Sequence, residues 1–537
     1  MATTRLEDSL APSTSERVPP PVSDRAGSAA RRGPVRDALV VGAPALLALG
    51  LCLYQITTRS LWLDESATVA ISSQHGAAFG TALAHDGGNM LGYYALMHGL
   101  TGIFGKGALL LRLPSVFAAA ATVAFVGRLA LRMFDQRVAL AAGLLTAVSL
   151  PLIFWGQDAR GYAPMIALVA ASFLALEWLV NSEGVDWRPW LAYFASVTAA
   201  IYCGLEAVLI VPAQLVVLAW HRDHLRSVLA ALALSAICCV PLAVLAAGRG
   251  ASQLFWVPAP SGRILSQVVE ALTSAAIAPS FRTSTTTLLL VGTLVVLGIG
   301  SWWAGRLLRI DRRAARGPVL LFAWLLAPSV LALIESVFGQ SIFQARYLLV
   351  SLPAVAILLA WTIARVLPAM TGARFRLLLP LGAFAALLAL RALQLAPSYG
   401  YSFENWRGAT ADVVARTQSG DCVAFYPSDG RQAFSYYLGS RAGAPRSILP
   451  PAPWNQVRSY VEDYSTLSAP ALARLPAACT RVWLISRNED RLGGPPASRA
   501  DYARFQRLQA SLRGNYPRVQ RTSFGYGRSV VVALFTR

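Results

Sequence analysis

The chain has 537 residues, of which 55% are apolar and 14% charged, and its mean hydropathy is +0.50. A soluble domain carries roughly 25% charged residues, so composition excludes a water-soluble multidomain protein of this length. The formal charge of +20 does not point to nucleic acid, because the basic residues are scattered or flank apolar segments and no zinc-finger, RRM or helix-turn-helix signature accompanies them. They are almost all arginine; the exception is Lys106.

Residues 1–36 are rich in Ser, Pro, Ala and Arg and read as a disordered cytoplasmic tail. Membrane-length apolar stretches follow at 37–57, 110–130, 138–156, 161–180, 189–204, 205–220, 227–247, 285–304, 318–337, 346–365 and 376–396. Each is near the ~20 residues that cross a bilayer as a helix, so about 11 spans are expected in a polytopic α-helical membrane domain over 37–396. The boundary near 204 also allows one broken passage in place of two. The apolar stretch 89–104 is short and glycine-containing, and reads as interfacial. Arginine placement supports that reading. With 89–104 left uncrossed, the basic loops around Arg132, Arg188, Arg222, Arg312 and Arg374 all fall on the side of Arg31, Arg32 and Arg36. The outside then receives 58–109, 157–160, 248–284, 338–345 and everything after about 397.

Residues 397–537 lack a membrane-length span and read as a small extracytoplasmic α/β domain. A helix is expected within 403–417, buried strands at 421–426 and 481–486, and a terminal hairpin of 519–523 with 529–535 around Gly525 and Gly527. Outside the cell this domain would allow a Cys422–Cys479 disulfide; two free buried cysteines would leave the same pattern.

The unusual chemistry lies in the outside loops. Leu61–Trp62–Leu63–Asp64–Glu65 follows the first span. Its carboxylates suit a helix cap, or a general base with an orienting or metal-facing neighbour. Adjacent residues on a helix diverge by about 100°, so Asp64 and Glu65 should not share one role. His85–Asp86 would supply an acid, a metal ligand or a substrate contact, or simply form an exposed turn. Trp62, Tyr93 and Tyr94 suit interfacial anchoring or sugar stacking. Gln157–Asp158–Ala159–Arg160 and Phe343–Gln344–Ala345–Arg346–Tyr347 place arginines where a lipid phosphate would sit, although Asp158–Arg160 pairing and snorkelling of Arg346 explain them too. Glu206 and Glu335 are ionisable groups in apolar segments, as in a transporter or facing an outer cavity.

Together, Leu63–Asp64–Glu65, Tyr93–Tyr94, Leu111–Arg112–Leu113–Pro114–Ser115, Gln157–Asp158–Ala159–Arg160–Gly161–Tyr162 and Ala345–Arg346–Tyr347 resemble the GT-C superfamily of polytopic glycosyltransferases. The likeness is to the bacterial family related to protein O-mannosyltransferases and aminoarabinose transferases, in its actinobacterial form. Relatives commonly show His-Pro-Pro where this chain has His85–Asp86–Gly87, and a Thr-His-Tyr-like element where it has Ile201–Tyr202–Cys203. The resemblance implies a sugar donor on a polyprenyl phosphate and an inverting reaction at the extracytoplasmic face of a bacterial plasma membrane. Mannose is the first choice of sugar and arabinofuranose the runner-up, and the acceptor is an envelope glycan, glycolipid or protein. It implies Asp64 as general base with Glu65 in support. Asp158, Arg160, Arg346 and Tyr347 would lie near the donor phosphate, and His85, Asp86, Tyr93, Glu206 and Glu335 would line the cavity or meet acceptor. Whether a divalent cation, Mg or Mn, takes part is left open; Glu65 or Asp158 could hold one.

Overall fold

The computed structural model describes residues 33–182, 186–250, 254, 257–277, 281–439, 443–454, 466–487, 489, 496–526 and 529–537. Most of the expected N-terminal tail, and Gly527 of the expected hairpin, lie outside them.

The chain runs α1 (Pro34–Leu53), α2 (Leu63–Ser72), α3 (Gly76–His85), α4 (Leu91–Phe104), α5 (Ala108–Met133), α6 (Gln136–Ala147), α7 (Leu150–Gly156), α8 (Tyr162–Val180) and α9 (Trp187–Cys203). A broken 205–219 segment contains α10 (Val211–Leu215). Then come α11 (Leu225–Cys238), α12 (Val240–Arg249), α13 (Gly262–Leu272), α14 (Thr286–Ile310) and α15 (Arg312–Phe338). A composite helix follows: a 3-10 stretch Ala345–Ser351, α16 (Leu352–Trp361), a π-helical turn Thr362–Val366 and α17 (Leu367–Met370), and then α18 (Leu378–Ser398).

Every stretch expected to span is helical, but fewer than eleven are continuous. Among the described residues, seven helices are long and apolar enough to cross a membrane, or nine if each of two bent pairs counts as one span. The bends, 57° between α6 and α7 and 49° near the α11–α12 junction, fall just before Pro151 and Pro241, which cannot donate the next helical hydrogen bond. The remaining two segments are α9, of 17 residues, and the short apolar Leu205–Ala219. Helix α4 has 14 residues, about 21 Å of rise, too little to cross.

Burial separates an inner bundle from a lipid-facing rim. The most apolar stretch of Tyr162–Val180 is 72% buried and that of Ala345–Met370 94%, against 28% for α14 and α18. Leu288, Val291, Leu294 and Val295 on α14 and Leu378 and Leu381 on α18 stand exposed. Such an apolar exterior is stable only in a hydrocarbon solvent. The chain is a polytopic helical membrane protein with a small α/β domain at its C-terminus.

That domain contains α19 (Trp406–Arg416), β1 (Cys422–Tyr426), α20 (Gly430–Leu438), β2 (Arg446–Leu449), α21 (Ala469–Ala478), β3 (Val482–Arg487), α22 (Pro496–Asn515), β4 (Arg518–Phe524) and β5 (Val530–Thr536). Sheet order is β2-β1-β3-β5-β4. β1 is parallel to β2 and β3, and β5 is antiparallel to β3 and β4. β1, β3 and β5 are largely apolar and buried because helices cover both faces. Trp406, Val413 and Phe434 pack on one side, and Leu475, Phe505, Leu508 and Leu512 on the other. β4 lies at the edge and is mostly exposed or half-buried. Cys422 and Cys479 form a disulfide.

Candidate functional site

The loop after α1 is held by a buried bracket. Arg112, on α5, grips Glu65 with two hydrogen bonds of 2.7 Å, and both side chains are 1% exposed. Its third nitrogen donates to the carbonyls of Ile56 and Arg59. Glu65 also accepts the Ala159 backbone N–H at 3.0 Å and, across the first turn of α2, the Trp62 N–H at 3.4 Å. Arg59 donates to the Phe154 and Gln157 carbonyls, and Gln157 donates back to the carbonyls of Cys52 and Tyr54. The Trp62 indole donates to Asp158 at 2.8 Å. These bonds tie the loop after α1 to the loop between α7 and α8.

The C-terminal domain closes the bracket. Glu404 accepts the Leu63 backbone N–H at 3.0 Å, next to Asp64, and the Trp406 indole N–H at 2.6 Å. Arg487 stands 3.7 Å from Glu404 and 2.8 Å from Asp429. Burial pushes both carboxyls above their usual range, with Arg487 opposing.

Asp64 faces away from this bracket, as the helical divergence of neighbours requires. Its carboxylate meets Arg346 at 3.2 Å, and the two side chains are 21% and 19% exposed. The Arg346 guanidinium lies over the Tyr162 and Tyr347 rings, 5.9 and 5.5 Å from their centroids. Arg160 donates to the Tyr94 hydroxyl at 2.6 Å and reaches the Asp64 carbonyl at 3.5 Å. Tyr94 in turn hydrogen-bonds Asp86. Glu206 enters from the broken segment after α9, within electrostatic range of Arg346 and Arg160. One of its oxygens is buried without a hydrogen-bond partner among the described residues. Glycine is required where these elements cross: a Cβ on Gly161 would collide with the Cys203 carbonyl oxygen.

Asp64, Asp86, Arg160, Glu206, Arg346 and Tyr347 therefore converge. The five other expected residues do not. Glu65 has its oxygens committed to Arg112, Ala159 and Trp62. Asp158 belongs to the bracket, and burial, with Glu65 beside it, pushes its carboxyl well above the usual range. Tyr93 is buried with its hydroxyl 3.4 Å from the Leu111 carbonyl. Glu335 is exposed at the end of α15, where it accepts the Gln340 N–H. His85 sits half-buried at the rim beside Arg249. Among the described residues no three His, Cys, Asp or Glu side chains gather to hold a metal ion. Glu65 and Asp158, the two residues named for a divalent cation, are engaged elsewhere and do not fit one.

Sequence reasoning gave Arg112, Tyr162 and Glu404 no role in the site and left Tyr94 as an interfacial anchor or a sugar-stacking ring. A charged residue beside an apolar stretch was the available signal for Arg112. Of two adjacent tyrosines only one can face the cavity, and it is Tyr94.

Asp86 gives the site a pH dependence. Burial pushes its carboxyl up to about 6, against the opposing pull of Arg160 and Tyr94. Charged, Asp86 anchors Tyr94 and through it Arg160. Activity should therefore fall as pH drops through about 6, and a pH–rate profile of Asp86→Asn should lack that limb. Stability runs the other way: the folded value exceeds the ordinary aspartate value of 3.8, so this group's contribution is present at low pH and is lost as pH rises from that value through about 6.

A family model described as dolichyl-phosphate-mannose-protein mannosyltransferase matches residues 90–247. No curated protein matches the chain. Solved structures do. ArnT from Cupriavidus metallidurans bound to undecaprenyl phosphate is 12% identical, with 92% of this chain and 97% of that one covered at a TM-score of 0.52. The Archaeoglobus fulgidus oligosaccharyltransferase tethered with an acceptor peptide is 13% identical, with 93% and 74% covered at 0.52. AglB from Archaeoglobus fulgidus, in complex with an inhibitory peptide and a dolichol-phosphate, is 14% identical, with 92% and 74% covered at 0.51. The chain therefore has the fold of the GT-C superfamily.

Proposed function

We propose that this protein transfers a sugar, with mannose the first candidate, from a polyprenyl phosphate to an envelope glycan, glycolipid or protein. The single observation that carries this reading is the Asp64–Arg346 contact at 3.2 Å, a carboxylate and a phosphate-matching guanidinium that are both partly exposed, with Arg160 and Tyr162 beside them. The reaction is placed at the extracytoplasmic face of the plasma membrane, with the N-terminus inside, because that orientation puts every short basic loop on the inner side.

Donor phosphate would draw Arg346 off Asp64, freeing the carboxylate for the acceptor hydroxyl. The acceptor oxygen then attacks the anomeric carbon and its proton passes to Asp64. The bond from that carbon to the phosphate oxygen breaks on the opposite face, so configuration inverts. Polyprenyl phosphate departs with its new charge held by Arg346 and Arg160. A phosphate leaves without protonation, so no second acid is needed. No step runs through a metal.

The test is transfer from polyprenyl-phosphate-linked mannose by the full chain in nanodiscs. Wild type should release polyprenyl phosphate, and Arg346→Ala should lose about 10²-fold in turnover, as for removal of a charge-stabilising donor. Arg346→Lys should recover only part, since lysine cannot form the two-pronged contact. Unchanged turnover and donor binding in Arg346→Ala would remove the arginine from the reaction.

A further inference from the structure

A second cleft, of about 640 Å³, opens at the other end of the helical bundle. Its walls include Phe134, Trp303, Arg313, Arg316, Trp361 and Arg365. The bracket residue Arg112 lies near the start of α5 and Phe134 just beyond its end. The 22 residues between them rise about 33 Å, one hydrocarbon thickness. The cleft therefore belongs to the opposite leaflet from Asp64.

Its charge is uneven. Arg316 pairs with Glu177 and Arg365 with Asp135. Arg313, exposed on the first turn of α15, has no ion-pair partner among the described residues. Beyond the lining, the adjoining chain adds Arg306, Arg309 and Arg312 against Asp311, so the mouth is net cationic. The inner wall is aromatic, with Phe134 and Trp361 rings 6.2 Å apart. Along the same helix end Trp302 and Ile310 are exposed, so the cleft adjoins lipid as well as water. It is also lined by the only π-helical turn among the described residues, which carries Arg365. Such turns recur at functional sites.

We propose that this cleft binds the phosphate headgroup of an anionic glycerophospholipid, with Arg313 on the phosphate and Trp303 and Trp361 against the glycerol and upper acyl chain. Basic pockets between helices at a membrane surface suit such headgroups. The exposed apolar rim selects a bilayer lipid over a soluble phosphate. The site is independent of the sugar-transfer reading.

The full chain, taken from nanodiscs of equal phosphatidylglycerol and phosphatidylcholine into mild detergent, can be weighed with its bound lipid by native mass spectrometry. Wild type should retain phosphatidylglycerol in preference to phosphatidylcholine. Arg313→Ala should lower that retention about fivefold, the equivalent of about 1 kcal/mol for one arginine at an anionic surface, while Arg313→Lys keeps most of it. Trp303→Ala should also lower it. Equal retention of the two lipids by wild type, or undiminished retention in both Arg313→Ala and Trp303→Ala, would overturn the proposal. Displacement of the lipid by millimolar glycerol phosphate would overturn its assignment to a bilayer source.

Discussion

Asp64→Asn should lower turnover by about 10²–10⁴-fold, the usual contribution of a positioned general base, while the protein folds and binds donor. Asparagine keeps the shape of the side chain and can still face Arg346, but it cannot take the acceptor proton. The loss should fall on turnover more than on donor affinity, because Arg346 and Arg160 still meet the phosphate. Asp64→Glu keeps the carboxylate and moves it by one methylene, and should retain more activity than Asp64→Asn. Steady-state transfer with both variants, alongside donor binding, reads this directly. Near-normal turnover in a well-folded Asp64→Asn would assign the base elsewhere, and Asp86, linked to Arg160 through Tyr94, would be the next residue to test.

The second large effect is on stability. Arg112 and Glu65 form a buried ion pair in which almost every polar atom has a partner. Replacing Arg112 with alanine would strand the Glu65 carboxylate, and breaking a buried pair from one side costs about 3–5 kcal/mol. Glu65→Ala should be comparably damaging, since it strands the guanidinium and leaves the Ala159 N–H without its acceptor. Glu65→Leu combined with Arg112→Met should recover part of the stability, because apolar replacement of both partners removes the stranded charge. It should not recover activity, because the Ala159 N–H bond that helps align the two loops is still missing. Thermal unfolding of the three variants in one detergent checks the order. A single Arg112→Ala variant that melts with wild type would show that the bracket does not hold the loop.

Much of this arrangement is legible in the residues. The spans announce themselves by length and apolarity, and the arginine loops reject a crossing by 89–104. β1, β3 and β5 are readable as largely apolar runs, because helices cover both faces of the sheet and no alternation is needed, whereas the four-residue β2 offers no such run and is not anticipated. Sheet order is not readable, since β1 lies between β2 and β3 through long-range pairing. Span continuity is also poorly encoded: Pro151 and Pro241 are visible, but whether a proline bends a helix or merely starts one depends on what packs around it. In the site, the divergence of Asp64 and Glu65 follows from helix geometry alone. Their partners do not, because Arg112, Ala159, Arg346 and Glu404 arrive from distant parts of the sequence. Asp158 looks like a cavity residue until the Trp62 indole is found on it. Glu335 looks like one until α15 leaves it facing outward.

The account is tested most directly in cells that lack this protein, by mass spectrometry of their lipid-linked sugars and envelope glycans. It predicts that one polyprenyl-phosphate sugar accumulates and the matching residue disappears from an envelope glycan, glycolipid or protein. Wild type should restore the pattern and Asp64→Asn should not. An unchanged envelope and carrier pool, or full restoration by Asp64→Asn, would contradict it.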